Sequence, residues 1–366
     1  MLRSSPHDRE ILRLAVPALG ALAAEPLYLL VGGFLVVALA GLARPLVGLM
    51  GAEGEIADAA TTYLRIAALG APAFMLATAG QGYLRGIADL RTPLVILVVA
   101  HVVNVVLELL LVYGFGWGLK GSAWGTVIAQ LGMGLAFLAV QRRAGWQRPV
   151  PARMRTLMRV GSEIAVRTTA LLGAFLVASA VLARISPAAL GAHQIAFQLF
   201  IFLALILDAL AIAAQVMVGR MLGAGDAPGA RAAAGRMIAW SVGLGAVLGV
   251  VLVSLGNLVP RLFTPDGAVV AQAHEIWWLF AAMMPLCGAV FALDGILIGA
   301  GDTRFLMWGM LAAAAVYVPV ALLALAYGWG ILGVWSGLAG LIGVRLATGG
   351  LRFAGNRWAL TGGALP

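Results

Sequence analysis

The sequence predicts an all-α polytopic membrane protein with about 10 transmembrane helices arranged in two pseudo-symmetric bundles. Hydrophobic residues make up 62% of the 366 residues and charged residues only 11%, and the mean hydropathy is +1.01. Soluble domains carry about 25% charged residues, so this chain has too few polar side chains to cover a soluble surface. Apolar segments that could cross about 30 Å of hydrocarbon recur along the whole chain, and its two halves repeat each other.

The candidate spans are read as helices, because no long alternation of apolar and polar residues indicates an outer-membrane barrel. The apolar segments cover residues 11–50, 58–84, 93–113, 121–141, 160–183, 188–218, 232–259, 270–299, 304–327 and 330–351. The first is too long for one straight crossing, so we expect one broken crossing with an interfacial remainder. Residues 1–10 lack the features of a signal peptide, and this first segment should therefore be retained.

Basic residues indicate the orientation of the chain in the membrane. Of the 24 lysines and arginines, 18 fall on one side when alternate loops are grouped. The other side receives Arg44, Lys120, Arg184 and Arg261, while Arg65 and Arg167 lie within spans. The positive-inside rule then predicts a multi-pass protein of the cell inner (plasma) membrane with both termini in the cytoplasm. Because topology explains the net charge of +9, no nucleic-acid partner is expected.

The two halves match when the sequence is shifted by 213 residues. At this shift "GYLRGIADLR" (82–91) lies over "GILIGAGDTR" (295–304), and "LMGAEG" (49–54) lies over "LFTPDG" (262–267). Pro72 likewise meets Pro285. Repeats of this kind are a common transporter design, in which the substrate path runs between the halves.

This repeat divides the chain into an N-terminal helical lobe over 1–141, a cytoplasmic linker over 142–159 and a C-terminal helical lobe over 160–366. The linker is the longest polar, proline-containing stretch of the sequence. Arg13 to Leu49 spans 49 − 13 = 36 residues, whereas the matching Arg159 to Leu262 spans 262 − 159 = 103. The difference is about two crossings, which indicates a deletion in the first lobe near residues 30–33.

Several segments resemble the multidrug and toxic compound extrusion (MATE) family, and most closely its DinF-like branch. They are "EILRLAVPALGALAAEPLYLL" (10–30), "LGAHQIAFQLFIFLALILDALAIAAQ" (190–215) and "LDGILIGAGDTRF" (293–305). Members of that family have twelve helices in two lobes of six. The resemblance therefore implies that the end of helix one, helix two and the start of helix three are absent from this chain.

The resemblance also implies coupling residues. A family aspartate in the second part of helix one belongs to a proton or sodium site, and no residue of this sequence matches it. Its companions correspond to Asn104 and Glu108, where Glu108 replaces an aspartate. These two residues are four apart, so they share one helix face on which an amide and a carboxylate could hold a cation or proton. The alternative is a carboxyl held neutral, or paired with Arg65 or Arg167, for packing.

Other acids within apolar segments are candidates because a charge in hydrocarbon needs a function or a partner. By resemblance Asp294 matches a coupling acid of the second lobe, or else fixes a break in its helix. Asp208 lies in a strongly apolar stretch, and Glu25 precedes Pro26 at an expected kink. Glu163 and Arg167 are four apart and are expected to form a structural ion pair.

Two turns carry an aspartate two residues before an arginine: Asp89 with Arg91, and Asp302 with Arg304. We expect these residues to cap cytoplasmic turns and to brace gating without contacting substrate. Cys287 is the only cysteine, and no cysteine-built metal site or nucleotide-binding loop is predicted.

Together these features predict a secondary transporter and not an enzyme. The resemblance implies a cation-coupled antiporter that exports amphipathic organic cations and drugs, using H⁺ or Na⁺ as coupling ion and no other cofactor. The expected partners are a small organic substrate and membrane lipid, and a monomer is expected. Two alternatives stay open: a truncated homologue that does not transport, and a flippase for lipid-linked glycans, for which more basic residues within central spans would be expected.

Overall fold

A computed structural model describes residues 36–48, 54–142, 151–355 and 357–359. These residues are almost entirely helical and include no β-strand. The helices are α1 Val36–Gly48, α2 Gly54–Ala68, α3 Ala71–Gly86, α4 Arg91–Glu108, α5 Gly118–Arg142, α6 Pro151–Ile185, α7 Pro187–Gly223, α8 Ala227–Ser254, α9 Val259–Phe263, α10 Gly267–Gly299, α11 Thr303–Ala326 and α12 Gly330–Ala354. A π-helical segment, Leu109–Gly114, continues α4.

Among the described residues, eight helices are long and apolar enough to cross a membrane, or nine if one bent pair counts as a span. This confirms the predicted all-α polytopic fold. Most of the predicted first segment, the proposed junction near residues 30–33 and Glu25 lie outside the described residues. The only described part of that segment is α1, an apolar helix shorter than a span.

The span predicted over 58–84 is not one straight helix. Its residues form α2 and α3, which meet at 49°. Pro72 lies in the first turn of α3, where proline needs no hydrogen-bond partner but prevents the preceding helix from continuing. The predicted apolar segment is therefore a bent pair of helices, and this bend was not predicted.

The internal repeat is visible in the helix bounds. The pair α2–α3 runs from Gly54 to Gly86, and α10 runs from Gly267 to Gly299, so both ends are displaced by 213 residues (267 − 54 and 299 − 86). The start of α5 precedes the start of α12 by 330 − 118 = 212 residues. Hence the second half repeats these backbone elements, although α10 stays continuous through Pro285.

The chain divides into two compact units, Met1–Leu157 and Met158–Pro366. The division falls within the predicted linker, but residues 151–159 of that linker already form the first turns of α6. In the first unit, α5 packs against α2, α3 and α4. In the second, α10 is the central helix and contacts α7, α8 and α12.

Glycines allow α10 to approach its neighbours closely. A Cβ added to Gly295 would lie 2.1 Å from the carbonyl oxygen of Ala211 on α7, and one added to Gly288 would lie 2.1 Å from that of Ser241 on α8. On the α8 side, a Cβ at Gly245 would lie 2.4 Å from the Met284 carbonyl oxygen. Such small-residue contacts maximise van der Waals packing where lipid provides no hydrophobic driving force.

We therefore expect Gly295→Ala to lower the free energy of unfolding by about 1–3 kcal/mol, because the methyl group overpacks the α7–α10 contact. Gly340→Ala on α12 is the matched control, since nothing lies within 4 Å of its added Cβ. There the better helix propensity of alanine should be neutral or stabilising by up to about 1 kcal/mol. Thermal unfolding of the two purified variants measures the difference, and equal shifts of the same sign would contradict this packing argument.

Candidate functional site

A group of polar side chains lies between α4 and α5 in the first unit, and we call Asn104, Glu108, Ser122 and Thr126 the α4–α5 polar cluster. The Ser122 hydroxyl donates to Oε1 of Glu108 at 2.6 Å. The Asn104 amide donates to Oγ1 of Thr126 at 3.4 Å. All four side chains are half-buried. The helix face predicted to carry Asn104 and Glu108 thus meets two hydroxyl groups of the neighbouring helix.

Two local features place this cluster. A Cβ at Gly121 would lie 2.8 Å from the backbone of Leu111, and one at Gly125 would lie 3.4 Å from the Glu108 nitrogen. Glycine at both positions therefore lets α5 approach α4 closely. The π-helical segment begins at Leu109, directly after Glu108, and π-helical turns inside α-helices occur frequently at functional sites.

The surroundings of Glu108 suit reversible binding of a cation or proton. Its described partner is a neutral hydroxyl, and no described lysine or arginine forms an ion pair with it. Arg65, one of the two partners considered from sequence, donates instead to the carbonyl oxygen of Ala40 at 3.2 Å. Oxygen atoms of carboxylate, amide and hydroxyl groups are ligands for hard cations, and a carboxyl also accepts a proton.

A second polar group lies in the C-terminal unit, and we call Arg167, Asp294 and Arg345 the arginine–aspartate triad. Arg167 on α6 donates through Nη2 to Oδ2 of Asp294 on α10. Arg345 on α12 donates through its own Nη2 to the same oxygen at 2.5 Å. The side chains are only 16% (Arg167), 14% (Asp294) and 7% (Arg345) exposed. One carboxylate therefore links three helices.

This triad corrects two expectations. Glu163 does not pair with Arg167; it accepts from the Thr303 hydroxyl at 2.5 Å and from Nε of Arg159 at 3.1 Å. Arg345 was grouped with the cytoplasmic arginines, but it lies nine residues before the end of α12 at Ala354, about 14 Å inside the helix. The sequence could have indicated this location, because Arg345 lies within the apolar segment 330–351.

The predicted turns share one backbone geometry. Ala88 and Gly301, which correspond at the 213-residue shift, have φ of 61° and 78°. The following backbone N–H of Asp89 donates to Leu84, and that of Asp302 donates to Leu297, in each case five residues back. A third such turn ends in Asp226, which sequence analysis did not identify. This is the hydrogen bonding of a helix ended by a left-handed residue.

The side chains of these turns differ in role. Asp89 accepts from the backbone N–H groups of Arg91 and Thr92 at 3.1 and 3.0 Å, so it caps α4. Asp302 makes no side-chain cap and accepts from Arg352 Nε at 2.5 Å. The Arg91 and Arg304 side chains are exposed. The predicted cap is therefore present at Asp89, whereas Asp302 joins α11 to α12.

The remaining candidate, Asp208, lies exposed on α7, inside the candidate span Pro187–Gly223. It belongs to neither of the two polar groups. His193 is fully buried on the same helix, and neither ring nitrogen has a hydrogen-bond partner among the described residues. In the described part of the chain, no three His, Cys, Asp or Glu side chains are arranged to hold a metal ion.

The cap at Asp89 predicts a pH dependence. The Thr92 hydroxyl, 2.6 Å from Oδ2, and then the Thr92 backbone N–H lower the pKa of Asp89 below its ordinary value of 3.8. A carboxyl whose pKa is lowered on folding stabilises the fold above its unfolded pKa, and this contribution is lost as the pH falls through the folded pKa. We therefore expect Thr92→Val to unfold at a lower temperature than wild type at pH 6, with the gap closing below about pH 3.8. A gap that is constant between pH 6 and pH 3 would contradict this.

Comparison with known sequences shows the relatives of this chain. The profile of the family described as MatE matches residues 21–110 and 164–323. Multidrug resistance protein PmpM of Pseudomonas aeruginosa is 29% identical over 367 residues, which cover 92% of this chain and 77% of that protein. Protein DETOXIFICATION 44, chloroplastic, of Arabidopsis thaliana is 30% identical over 303 residues, which cover 80% of this chain and 57% of that protein. The matched regions span 57% to 64% of four such Arabidopsis proteins.

Solved structures share the fold. An outward-facing multidrug resistance MATE family transporter of the MOP superfamily superposes with a TM-score of 0.83 at 19% identity, over 95% of this chain and 86% of that one. The eukaryotic MATE transporter AtDTX14 gives 0.81 at 18% identity, over 96% of this chain and 80% of that one. At these identities the likeness concerns the helical architecture.

Proposed function

Because this chain belongs to the MatE family, we propose that it is a secondary transporter that exports small organic compounds in exchange for protons or sodium ions. The observation that carries the coupling proposal is Glu108, an acid inside a candidate span with a hydroxyl partner and no basic partner among the described residues. Charging such a group in hydrocarbon costs about 2.5–3.5 kcal/mol on insertion scales. Binding of H⁺ or Na⁺ removes that cost. Ion binding can therefore shift the equilibrium between the conformations of the protein.

Asp294 is less suited to this role than sequence comparison implies. Two arginines already neutralise its carboxylate, and their positive charge opposes binding of a further cation. We therefore assign ion coupling to the α4–α5 polar cluster.

Exchange follows if the ion and the substrate favour different conformations. Cation binding to Glu108 then favours a conformation with low affinity for the substrate. Substrate binding favours a conformation with low affinity for the cation. Each charge that crosses the membrane contributes about 2.3 kcal/mol per 100 mV of potential, so a cation gradient can drive export. Neither a nucleotide nor another cofactor is needed.

The proposed substrate class is inferred from the names of related proteins. Two of them are called multidrug resistance proteins, and a mouse relative is called multidrug and toxin extrusion protein 2. We propose amphipathic organic cations as substrates and the inner membrane as location, with both termini in the cytoplasm. The match to DNA damage-inducible protein F of Escherichia coli, 27% identical over 81% of this chain, supports a place in the DinF-like branch.

Loss of transport by truncation is the second candidate. The unequal spacing of the two halves predicts a deletion in the first lobe near residues 30–33, which lie outside the described residues. If transport requires the deleted segment, the chain is a homologue of transporters that does not itself transport. The same experiment separates the two candidates.

Glu108→Gln tests the coupling proposal. The amide keeps the shape of the side chain but cannot release a proton or attract a cation, so we expect gradient-driven export of a fluorescent cationic dye from cells or inverted vesicles to fall to background. Glu55→Gln is the control, because this exposed acid of the same unit lies in the first turn of α2.

Full export by Glu108→Gln would refute this coupling site. Export that is absent even in the wild-type chain, but appears when the missing helices are restored by copying the second half, would favour the truncated homologue.

A further inference from the structure

The arginine–aspartate triad holds two cations against one anion. We propose that it is a binding site for a small soluble anion, recognised through a carboxylate or phosphate oxygen that completes the coordination of Arg167 and Arg345. This proposal goes beyond the transport function proposed above and does not depend on the α4–α5 polar cluster.

The charge count is the first argument. No described carboxylate other than Asp294 forms an ion pair with either arginine. Glu163, the nearest acid along α6, is bound by Arg159 and Thr303. With all three side chains ionised, the triad carries an excess of one positive charge inside candidate spans. Buried charges in proteins are paired or bind a ligand.

Hydrogen-bonding capacity is the second argument. A guanidinium group has five N–H donors, yet Arg167 and Arg345 both donate to the single oxygen Oδ2 of Asp294. Among the described residues no other acceptor is bound to either side chain. Arginine forks bind carboxylate and phosphate oxygens strongly because two parallel N–H groups match two oxygens. The remaining N–H groups are suited to such a ligand.

Space beside the guanidinium groups is the third argument. A cavity of about 10 Å³ adjoins all three members of the triad, which is room for about one water-sized group. Gly309 and Gly349 line it, and a Cβ at these positions would lie 3.2 Å from Thr348 Oγ1 and 3.3 Å from Leu293 Cδ1, respectively. The cavity has room for one anionic oxygen, and the rest of the ligand would lie outside it.

The pair formed by Asp302 and Arg352 shows that linking two helices needs only one arginine. There one carboxylate oxygen accepts from one Nε at 2.5 Å, and the guanidinium lies over the Phe305 ring, 4.9 Å from its centroid. In the triad each arginine links Asp294 to a different helix through one hydrogen bond, Arg167 from α6 and Arg345 from α12, and this linkage leaves the other N–H groups of both guanidinium groups for a ligand. The pair of Asp302 and Arg352 also provides a matched control.

The test measures anion-dependent thermal stability of the full chain in neutral detergent, with sodium phosphate or sodium acetate as probe and equal ionic strength throughout. A ligand that binds the native state raises the unfolding temperature by mass action. We expect a saturable rise in wild type. The apparent affinity should be about tenfold weaker or worse in Arg345→Gln, which loses a charge-assisted bond. Asp294→Asn should bind the anion more tightly, because it frees both guanidinium groups.

Arg352→Gln should respond like wild type, and Arg167→Gln replaces Arg345→Gln if that variant does not fold. Equal anion responses in wild type, Arg345→Gln and Asp294→Asn would overturn the site, as would no response in wild type. A parallel series in nanodiscs with and without phosphatidylglycerol identifies the source of the anion. Stabilisation that appears only with this lipid would assign the triad to a headgroup phosphate and overturn a soluble ligand. Since no ion gradient is present, loss of coupling at Glu108 cannot imitate any of these outcomes.

Discussion

A charged side chain inside a membrane span must have a partner, and this constraint determines where the chemistry of the protein lies. Asp294 is stabilised by Arg167 and Arg345 together, so three helices meet at one carboxylate. Among the described residues Glu108 accepts a hydrogen bond from the Ser122 hydroxyl and forms no ion pair, which is the basis for proposing that it binds a cation or proton from outside the protein. The ion pairs of Asp294 favour a fixed contact between helices, whereas the surroundings of Glu108 favour reversible binding.

The two halves have matching backbone elements, but the polar side chains at corresponding positions differ. At the 213-residue shift Asn104 corresponds to Tyr317 and Glu108 to Ala321, and both residues of the second half are completely buried in an apolar core. In the second half the charged groups lie on α6, α10 and α12 instead. The two halves thus share backbone elements, but the first has a polar contact between α4 and α5 and the second has a packed core around α10.

Hydropathy and spacing predict most of this fold because lipid requires continuous apolar helices with internally satisfied backbones. The repeat, the span positions and the Asp89 cap could all be read from local sequence. Partners across the bundle could not, since Arg167 and Asp294 are separated by 127 residues. Local spacing favoured the pair Glu163–Arg167, but tertiary packing turned the two side chains to different partners. The bend between α2 and α3 was not predicted either, and the corresponding Pro285 lies inside a continuous helix, so the presence of a proline does not by itself determine where a helix is interrupted.

We propose that Glu108 is the acid that exchanges the coupling ion, whereas Asp294 is occupied by ion pairs with Arg167 and Arg345. Labelling with dicyclohexylcarbodiimide, which reacts with protonated carboxyls in apolar surroundings, tests this directly when the labelled residue is identified by mass spectrometry. We expect modification of Glu108 and no modification of Asp294. Labelling of Asp294 with Glu108 unmodified would contradict it.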